Sequence, residues 1–477
     1  MCAEQLASQY IPTMAYAERQ PLQDECGILA IYSPKDIALL KKAVKGLIVE
    51  QTRGYEGAGF SAFDHLGTIY DYKNEGHIDE VFNADILEQY GSIEAYIWML
   101  QTRYGTKGKS MYENVQPLLG THQQTGNRFI IIHNGQFETT PVNGNGVVKH
   151  DVSDTVEFRD ELEEAQGENF EQILLSTIKR KRGAFSLAVG TEEGLYLARD
   201  REGTRPLVYG QDHQGNWVVA SETEALEEME IYAYKEVMPG SILRINDYGI
   251  VELTPPDHNG LHVCIFEDVY VQSGKTRVHK PRFNPEEINQ SDLTEEARYR
   301  SGELMFRDSP IRPDQADVVI GIPGTAIPGG RGFAEASGIP YDQSIWDIVP
   351  NGPRTFMHPN IDEIYKEALE NFNFDKDRLE GMKVVLVDDS LVRGNISKAI
   401  THLLKEVYGV AEVHWKILSP AIFHPCVKGI STRSEKELIA AAMIGDFQKV
   451  LEYIGGDSLD YLSIESLVSP LLLSINA

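Results

Sequence analysis

The sequence predicts a layered α+β half followed by an open α/β half built on a parallel sheet. Three observations carry this reading. At 477 residues the chain is too long for one ordinary core, so two to three domains are expected. Over residues 26–255 short β-branched runs are separated by Gly-rich turns, whereas over 256–477 continuous apolar runs are each followed by a helical stretch. Between the two lies Thr254 to Gly260, whose Pro-Pro-Asp and Asn-Gly turns have the chemistry of a boundary.

In the first half the runs CGILAIY, FIIIHNGQF, AFSLAVG, LYLARD, WVVAS and SILRI read as strands, with helices near Ile37 to Gln51 and Val156 to Lys181. In the second, DVVIGIPGT, KVVLVDDSLVRGN and EVHWKIL read as parallel strands buried on both faces, with a helix over about Ser397 to Val407. Ligands in such sheets bind beyond the carboxyl ends of the strands, which directs attention to the loops beginning at Pro323 and Asp388.

Composition bounds the partners. With 44 Lys and Arg against 72 Asp and Glu, the net charge of -28 opposes a general nucleic-acid or anionic-membrane partner, while a small anion in a locally basic pocket stays possible. No apolar run reaches bilayer length, and residues 1–25 lack a basic start and apolar core, so they are expected to be a leader (propeptide) removed by processing. Cys2, Cys26, Cys264 and Cys426 form neither a disulfide framework nor a metal-pair spacing, and a reducing, cytoplasmic setting is expected.

Freed as an N-terminus, Cys26 would carry a nucleophilic thiol and, in its own α-amine, a base. RGYEGAG (Arg53 to Gly59) sets three glycines beside an arginine. TRYGTKG offers Arg103, whose guanidinium can grip a carboxylate bidentately. HNGQ sets the Asn134 side-chain amide beside the Gly135 backbone N–H, a candidate oxyanion hole. SDT supplies Asp154, able to receive an ammonium group. Taken singly, Cys26 is a core residue, Arg103 an ion-pair partner, HNG a type I′ turn and Asp154 a helix cap equally well.

In order and spacing, CGI, RGYxxAG, RY-T-G, QP, HNG and SD-T resemble the class II glutamine amidotransferases, the N-terminal-nucleophile family that includes the amidophosphoribosyltransferases. The resemblance covers nearly all of residues 26–250, and RD..G.RPL with ASE is closest to the amidophosphoribosyltransferase branch. It implies αββα layers, with Cys26 as nucleophile, Asn134 and Gly135 as oxyanion hole, and Arg103, Asp154 and Arg53 as the glutamine-binding set.

In the second half VVLVDDSLVRGNIS ends a strand with two acids and enters a helix through a Gly loop. Such acids can reach ribose hydroxyls and a hydrated Mg2+, and the loop amides and helix start can receive a phosphate. Read alone, it is also a Rossmann-like strand with an Asp cap. It resembles the signature of type I phosphoribosyltransferases, which implies phosphoribosyl-diphosphate binding by Asp388, Asp389, Ser390, Arg393, Gly394, Asn395 and Ser397. VVIGIPGT and PRTF resemble that family's diphosphate and mobile loops, which implies Thr325 with Asp388 and Asp389 at the metal and Arg354 at the leaving diphosphate. CIFEDVY, read as a strand, and IGGDSLDYLS also resemble the family.

Departures fall on the acceptor side. Asn395 and Ile396 stand where the family has two threonines, Gly324 replaces an acidic residue, Ile348, Val349, Pro350 and Asn351 replace a basic stretch, and Gln272, Ser273 and Gly274 replace an RPDS-like segment. The C-terminal cysteine pair of iron–sulfur members is absent, and no cluster is expected.

The resemblance implies an enzyme that hydrolyses glutamine at Cys26 and passes ammonia to 5-phosphoribosyl 1-diphosphate, giving 5-phosphoribosylamine at the start of purine synthesis. It further implies a Mg2+ cofactor and a homo-oligomer. The alternatives are an amidotransferase with another phosphosugar or nucleotide-like acceptor, and a non-catalytic phosphoribosyl-diphosphate sensor.

Overall fold

The computed structural model describes residues 26–103, 111–138, 153–257, 264–278, 284–347, 372–426, 428, 432 and 434–472. The expected leader, the segment Ile348 to Asn351 and Arg354 lie outside the described residues.

Two antiparallel sheets make up the first half. One contains β1 (Cys26–Ile37), β2 (Gly57–Phe63), β3 (Ile69–Glu75), β4 (Ala95–Arg103), β9 (Val208–Gln211), β10 (Trp217–Ala220) and β11 (Tyr234–Glu236), in the order β11-β9-β10-β1-β4-β2-β3. The other contains β5 (Leu118–Thr121), β6 (Arg128–Phe137), β7 (Gly183–Thr191), β8 (Gly194–Arg199), β12 (Ile242–Asn246) and β13 (Gly249–Thr254), in the order β13-β12-β8-β7-β6-β5.

Period-two alternation stacks these sheets. Ile28, Ala30 and Tyr32 of β1 face Ile130 and Ile132 of β6 across the central core. The intervening Leu29 and Ile31 point the other way, onto the helix Leu40–Ile48, while Phe129 and Ile131 pack on the helices Asp154–Glu164 and Phe170–Arg180. Helix, sheet, sheet, helix is therefore the layer order. Each buried Ile or Leu contributes about 1.5–3 kcal/mol to holding it.

In the second half β14 (Val318–Gly321), β17 (Lys383–Asp388), β18 (Glu412–Ile417) and β19 (Ser458–Tyr461) form a wholly parallel sheet in the order β14-β17-β18-β19. Val384 and Leu386 enter one core and Val385 and Val387 the opposite one, which is why β17 reads as unbroken apolar sequence. A ribbon of β15 (Ile345–Asp347) and β16 (Phe372–Phe374) stands apart from that sheet.

Some expected elements differ. The helix expected over Val156 to Lys181 is two helices, broken at Gly167 (φ +151°) and restarted by the Asn169 side chain accepting from Gln172 N. The first helix is shorter than expected because Ile37 still belongs to β1. CIFEDVY is not a strand. Residues Glu267–Val271 wind a single π-helical turn, closed by Gln272 N donating to Glu267 O at 3.0 Å and clasped by Arg298, which donates to the carbonyls of Asp268 and Gln272. The helix expected to begin at Ser397 starts at Asn395 and loosens into a π turn after His402.

Residues beyond the sequence boundary also lie against the first half. Asn289 exchanges hydrogen bonds with the backbone of Tyr234, and Ile288 enters the core beneath the first sheet.

Candidate active site

Cys26 opens β1 in the middle of the first sheet, paired with Arg103 at the end of β4, and its side chain is fully buried. Its backbone nitrogen donates to Asn134 Oδ1 at 3.2 Å. Asn134 and Gly135 belong to β6 and pair with Ser186 and Phe185 of β7, so HNG is strand and not a type I′ turn. With Oδ1 so engaged, the other end of the Asn134 amide is buried with no hydrogen-bond partner among the described residues. Gly135 adopts φ +125°, and a Cβ there would sit 2.0 Å from Ala184 O, so both conformation and space demand glycine.

Polar side chains brace this pair. His133 N donates to Gln116 Oε1 at 2.7 Å, the His133 ring meets Thr155 Oγ1 at 2.9 Å, and Gln101 Nε2 donates to His133 O at 3.0 Å. Burial, then the positive charge of Arg205 and Lys181, pushes the His133 imidazole down to about 3, so it is neutral near pH 7. Gln116 was visible in the QP motif, but its partner was not.

Asp154 is not a cap. Ser153 caps the helix, and Asp154 Oδ2 accepts from Phe137 N at 2.6 Å, tying the helix to the strand that carries Asn134. Burial raises its carboxyl to about 6 against the hydrogen bonds of Phe137 and Thr155 and the charge of Arg103. Arg53 is located differently from its expected place in a glutamine set. Its guanidinium is wholly buried in ion pairs with Glu222 (2.6 Å) and Glu267 (3.0 Å).

The second constellation lies at the carboxyl end of β17. Asp389 N donates to Asp388 Oδ1 at 2.9 Å, Ser390 Oγ donates to Asp389 Oδ1 at 2.5 Å, and Thr325 Oγ1 donates to Asp389 Oδ2 from the neighbouring β14 loop. Burial, reinforced by Asp389, holds the Asp388 carboxyl well above the usual carboxylate range. Gly394 (φ +76°) turns the chain into the helix Asn395–His402. Arg393 pairs with Glu437 at 2.6 Å, Ser397 is buried, and Tyr453 OH donates to Asn395 Oδ1 at 2.7 Å. Ile396 packs against the apolar core. The two acids, Ser390 and Thr325 thus form one hydrogen-bonded cluster, and a hard cation would find side-chain oxygen donors there. The described residues contain no cluster of three or more His, Cys, Asp or Glu able to hold a metal unaided, and among them no helix is long and apolar enough to cross a membrane.

Residues 109–228 match a family described as glutamine amidotransferase domain. An amidophosphoribosyltransferase of Synechococcus elongatus is 31% identical over 456 residues, covering 94% of this chain and 87% of that protein. One of Methanothermobacter thermautotrophicus is 32% identical over 474 residues, covering 94% and 91%. A solved glutamine phosphoribosylpyrophosphate amidotransferase from B. subtilis, complexed with ADP and GMP, superposes with a TM-score of 0.76 at 31% identity, covering 94% of this chain and 92% of that one. Identity at this level over nearly the whole of both chains, with the αββα layers and the parallel sheet each in place, means that this chain belongs to the amidophosphoribosyltransferase family.

Proposed function

We propose that the chain, once relieved of residues 1–25, hydrolyses glutamine at Cys26 and delivers the ammonia to 5-phosphoribosyl 1-diphosphate, forming 5-phosphoribosylamine, glutamate and diphosphate. The observation that carries this reading is Asn134, pinned through Oδ1 by the Cys26 nitrogen with its amide donor end buried and unpartnered. After leader removal that nitrogen is an α-amine. It takes the thiol proton as sulfur attacks the glutamine amide carbon, while Asn134 Nδ2 and the Gly135 N–H receive the developing oxyanion. Collapse passes the proton held by the α-amine to the leaving nitrogen, expels ammonia and leaves a thioester, which water then hydrolyses to glutamate. Arg103 grips the substrate carboxylate, and Asp154 receives its ammonium.

In the second site Asp388 and Asp389 orient the ribose hydroxyls. With Thr325 they are the residues that would hold Mg2+, whose positive charge would offset the negative charge of the diphosphate. The side-chain oxygens of Asp388, Asp389 and Thr325 support this assignment, as does the mutual repulsion of the two adjacent acids. The Gly394 turn and the amides that open the Asn395 helix receive the 5′-phosphate, beside Ser390 and Arg393. Ser397 belongs to the same reading, as does the role expected of Arg354 toward the diphosphate, a residue outside the described ones. Division into a glutaminase over 26–255 and a phosphoribosyltransferase-like domain over 256–477 belongs to the same reading, as do a homo-oligomer and a cytoplasmic setting.

The test follows glutamate and diphosphate in one reaction with glutamine, phosphoribosyl diphosphate and Mg2+. Equal release is expected. Glutamate without diphosphate would overturn the acceptor and favour another phosphosugar, a reading to which the apolar Ile396 and the tethered Asn395 lend support.

A pH dependence follows from Asp154. As pH falls through about 6 its carboxyl gains a proton and loses its attraction for the substrate ammonium. The KM for glutamine is therefore expected to rise between pH 7 and 5, by up to about tenfold per unit once below that value, since each pH unit is a factor of ten in the ionised fraction. Asp154→Asn should raise KM at pH 7 and flatten its pH profile. An unchanged slope in that variant would assign the titration to another group.

A further inference from the structure

We infer that Glu267, which lies beyond the proposed domain boundary, is a positioning residue for the Cys26 site, acting through Arg53. The inference deepens the glutaminase reading and, in the part that concerns glutamine, rests on it.

Four side chains, each with 0% or 1% of its surface exposed, alternate in charge: Glu222, Arg53, Glu267, Arg205. Glu267 spans the two guanidiniums, one oxygen on each, and Arg205 continues to the carbonyl of Lys428 at 2.9 Å. Glu222 Oε2 meanwhile accepts from Ser273 N at 3.0 Å and Thr276 Oγ1 at 2.8 Å. Residues 267–276 and Lys428, all from the later part of the chain, are thereby tied into the first half. Ser273 belongs to the stretch that departs from the family's sequence.

The tie reaches the thiol by two short paths. Arg53 is followed by Gly54, whose carbonyl accepts from Thr102 Oγ1 at 2.7 Å and whose α-carbon lies so close to Arg103 that a Cβ would fall 2.3 Å from the Arg103 carbonyl carbon. Arg103 is the strand partner of Cys26. On the other side, Glu222 N donates to Glu50 Oε1 at 2.9 Å, and Glu50 Oε2 lies where a Cβ on Gly27, the residue after the nucleophile, would be 2.6 Å away. Burial and the nearby Glu222 push the Glu50 carboxyl well up, so in its neutral form the buried charges balance at two against two. Glu267 itself is held ionised by Arg53 and Arg205 against the cost of burial. Neutralising Glu267 leaves two guanidiniums against the single Glu222 carboxylate, an excess of one positive charge, and takes from Arg53, which is joined to the strands beneath Cys26, the oxygen that Glu267 sets against it.

The experiment compares wild type with Glu267→Gln and, as a charge-keeping variant, Glu267→Asp, all as the full processed chain. Three readings are taken: glutamine-dependent and ammonia-dependent diphosphate release, and the rate of Cys26 alkylation by iodoacetamide followed by peptide mass spectrometry. For Glu267→Gln the expected result is a fall of tenfold or more in kcat/KM for glutamine and a severalfold change in Cys26 alkylation. Ammonia-dependent release should stay within twofold, and Glu267→Asp should recover part of the loss. Displacements of about 1 Å around a reacting group are enough for losses of this size, up to roughly 100-fold. Parallel loss of both activities with a lowered melting temperature in both variants would make Glu267 merely structural and overturn the inference, as would unchanged alkylation. Altered Cys26 alkylation in a chain that proves to lack glutaminase activity would uphold the positioning role and sink the glutaminase reading alone.

Discussion

Cys26→Ala, made in a chain that starts at residue 26, is expected to lower glutamine hydrolysis by at least about 10³-fold, because the sulfur that forms the acyl intermediate is gone and no neighbouring group replaces it. His133, the imidazole beside Asn134 in the chain, is neutral and braced on Thr155 within the core, so it offers no second nucleophile. Diphosphate release supported by ammonium salts should persist within about a factor of two, since Cys26 lies in the first sheet and the Asp388 cluster at the end of β17 in the parallel one. Starting the chain at residue 26 removes leader processing from the comparison. Residual glutamine-dependent turnover above about a hundredth of wild type would sink Cys26 as nucleophile, and a joint loss of the ammonia-supported reaction would mean that the two sites are not separable.

Much of this arrangement was legible in the sequence, for reasons that can be named. Alternation in CGILAIY and FIIIHNGQF announces strands with two different faces, and continuous apolar sequence in KVVLVDD announces a strand covered on both. Gly135 and Gly394 sit where positive φ is needed. What could not be read is anything that depends on a partner distant in the chain. Arg53 looks like a substrate clamp until Glu222 and Glu267, 169 and 214 residues away, take its guanidinium. CIFEDVY has the composition of a strand, and the Arg298 side chain, donating to the carbonyl of Asp268 within it and to that of Gln272 just beyond it, explains why it winds into a turn instead. Asp154 has the sequence position of a cap, yet its neighbour Ser153 takes that role and frees it to meet Phe137.

Asn134 separates the two duties of an oxyanion donor from those of a scaffold. Asn134→Ala removes Nδ2 and is expected to lower kcat for glutamine hydrolysis by about 10²–10³-fold with little change in KM, the amount typical of losing one preorganised donor. Alanine also deletes the acceptor of the Cys26 nitrogen at 3.2 Å, so part of the loss could come from a displaced base. Asn134→Asp resolves this. It keeps an oxygen facing Cys26 N but sets an acceptor where the donor stood, and a buried carboxylate repels the negative charge forming on the substrate oxygen. If the donor matters, kcat in the aspartate variant falls at least as far as in alanine despite the preserved acceptor. If anchoring the amine is the larger effect, the aspartate variant recovers most of the activity and alanine alone is impaired. Steady-state kcat and KM for glutamine, with ammonia-dependent release as the control for folding, distinguish the two. A loss under tenfold in both variants would leave the Gly135 N–H as the dominant donor and remove Asn134 from the chemistry.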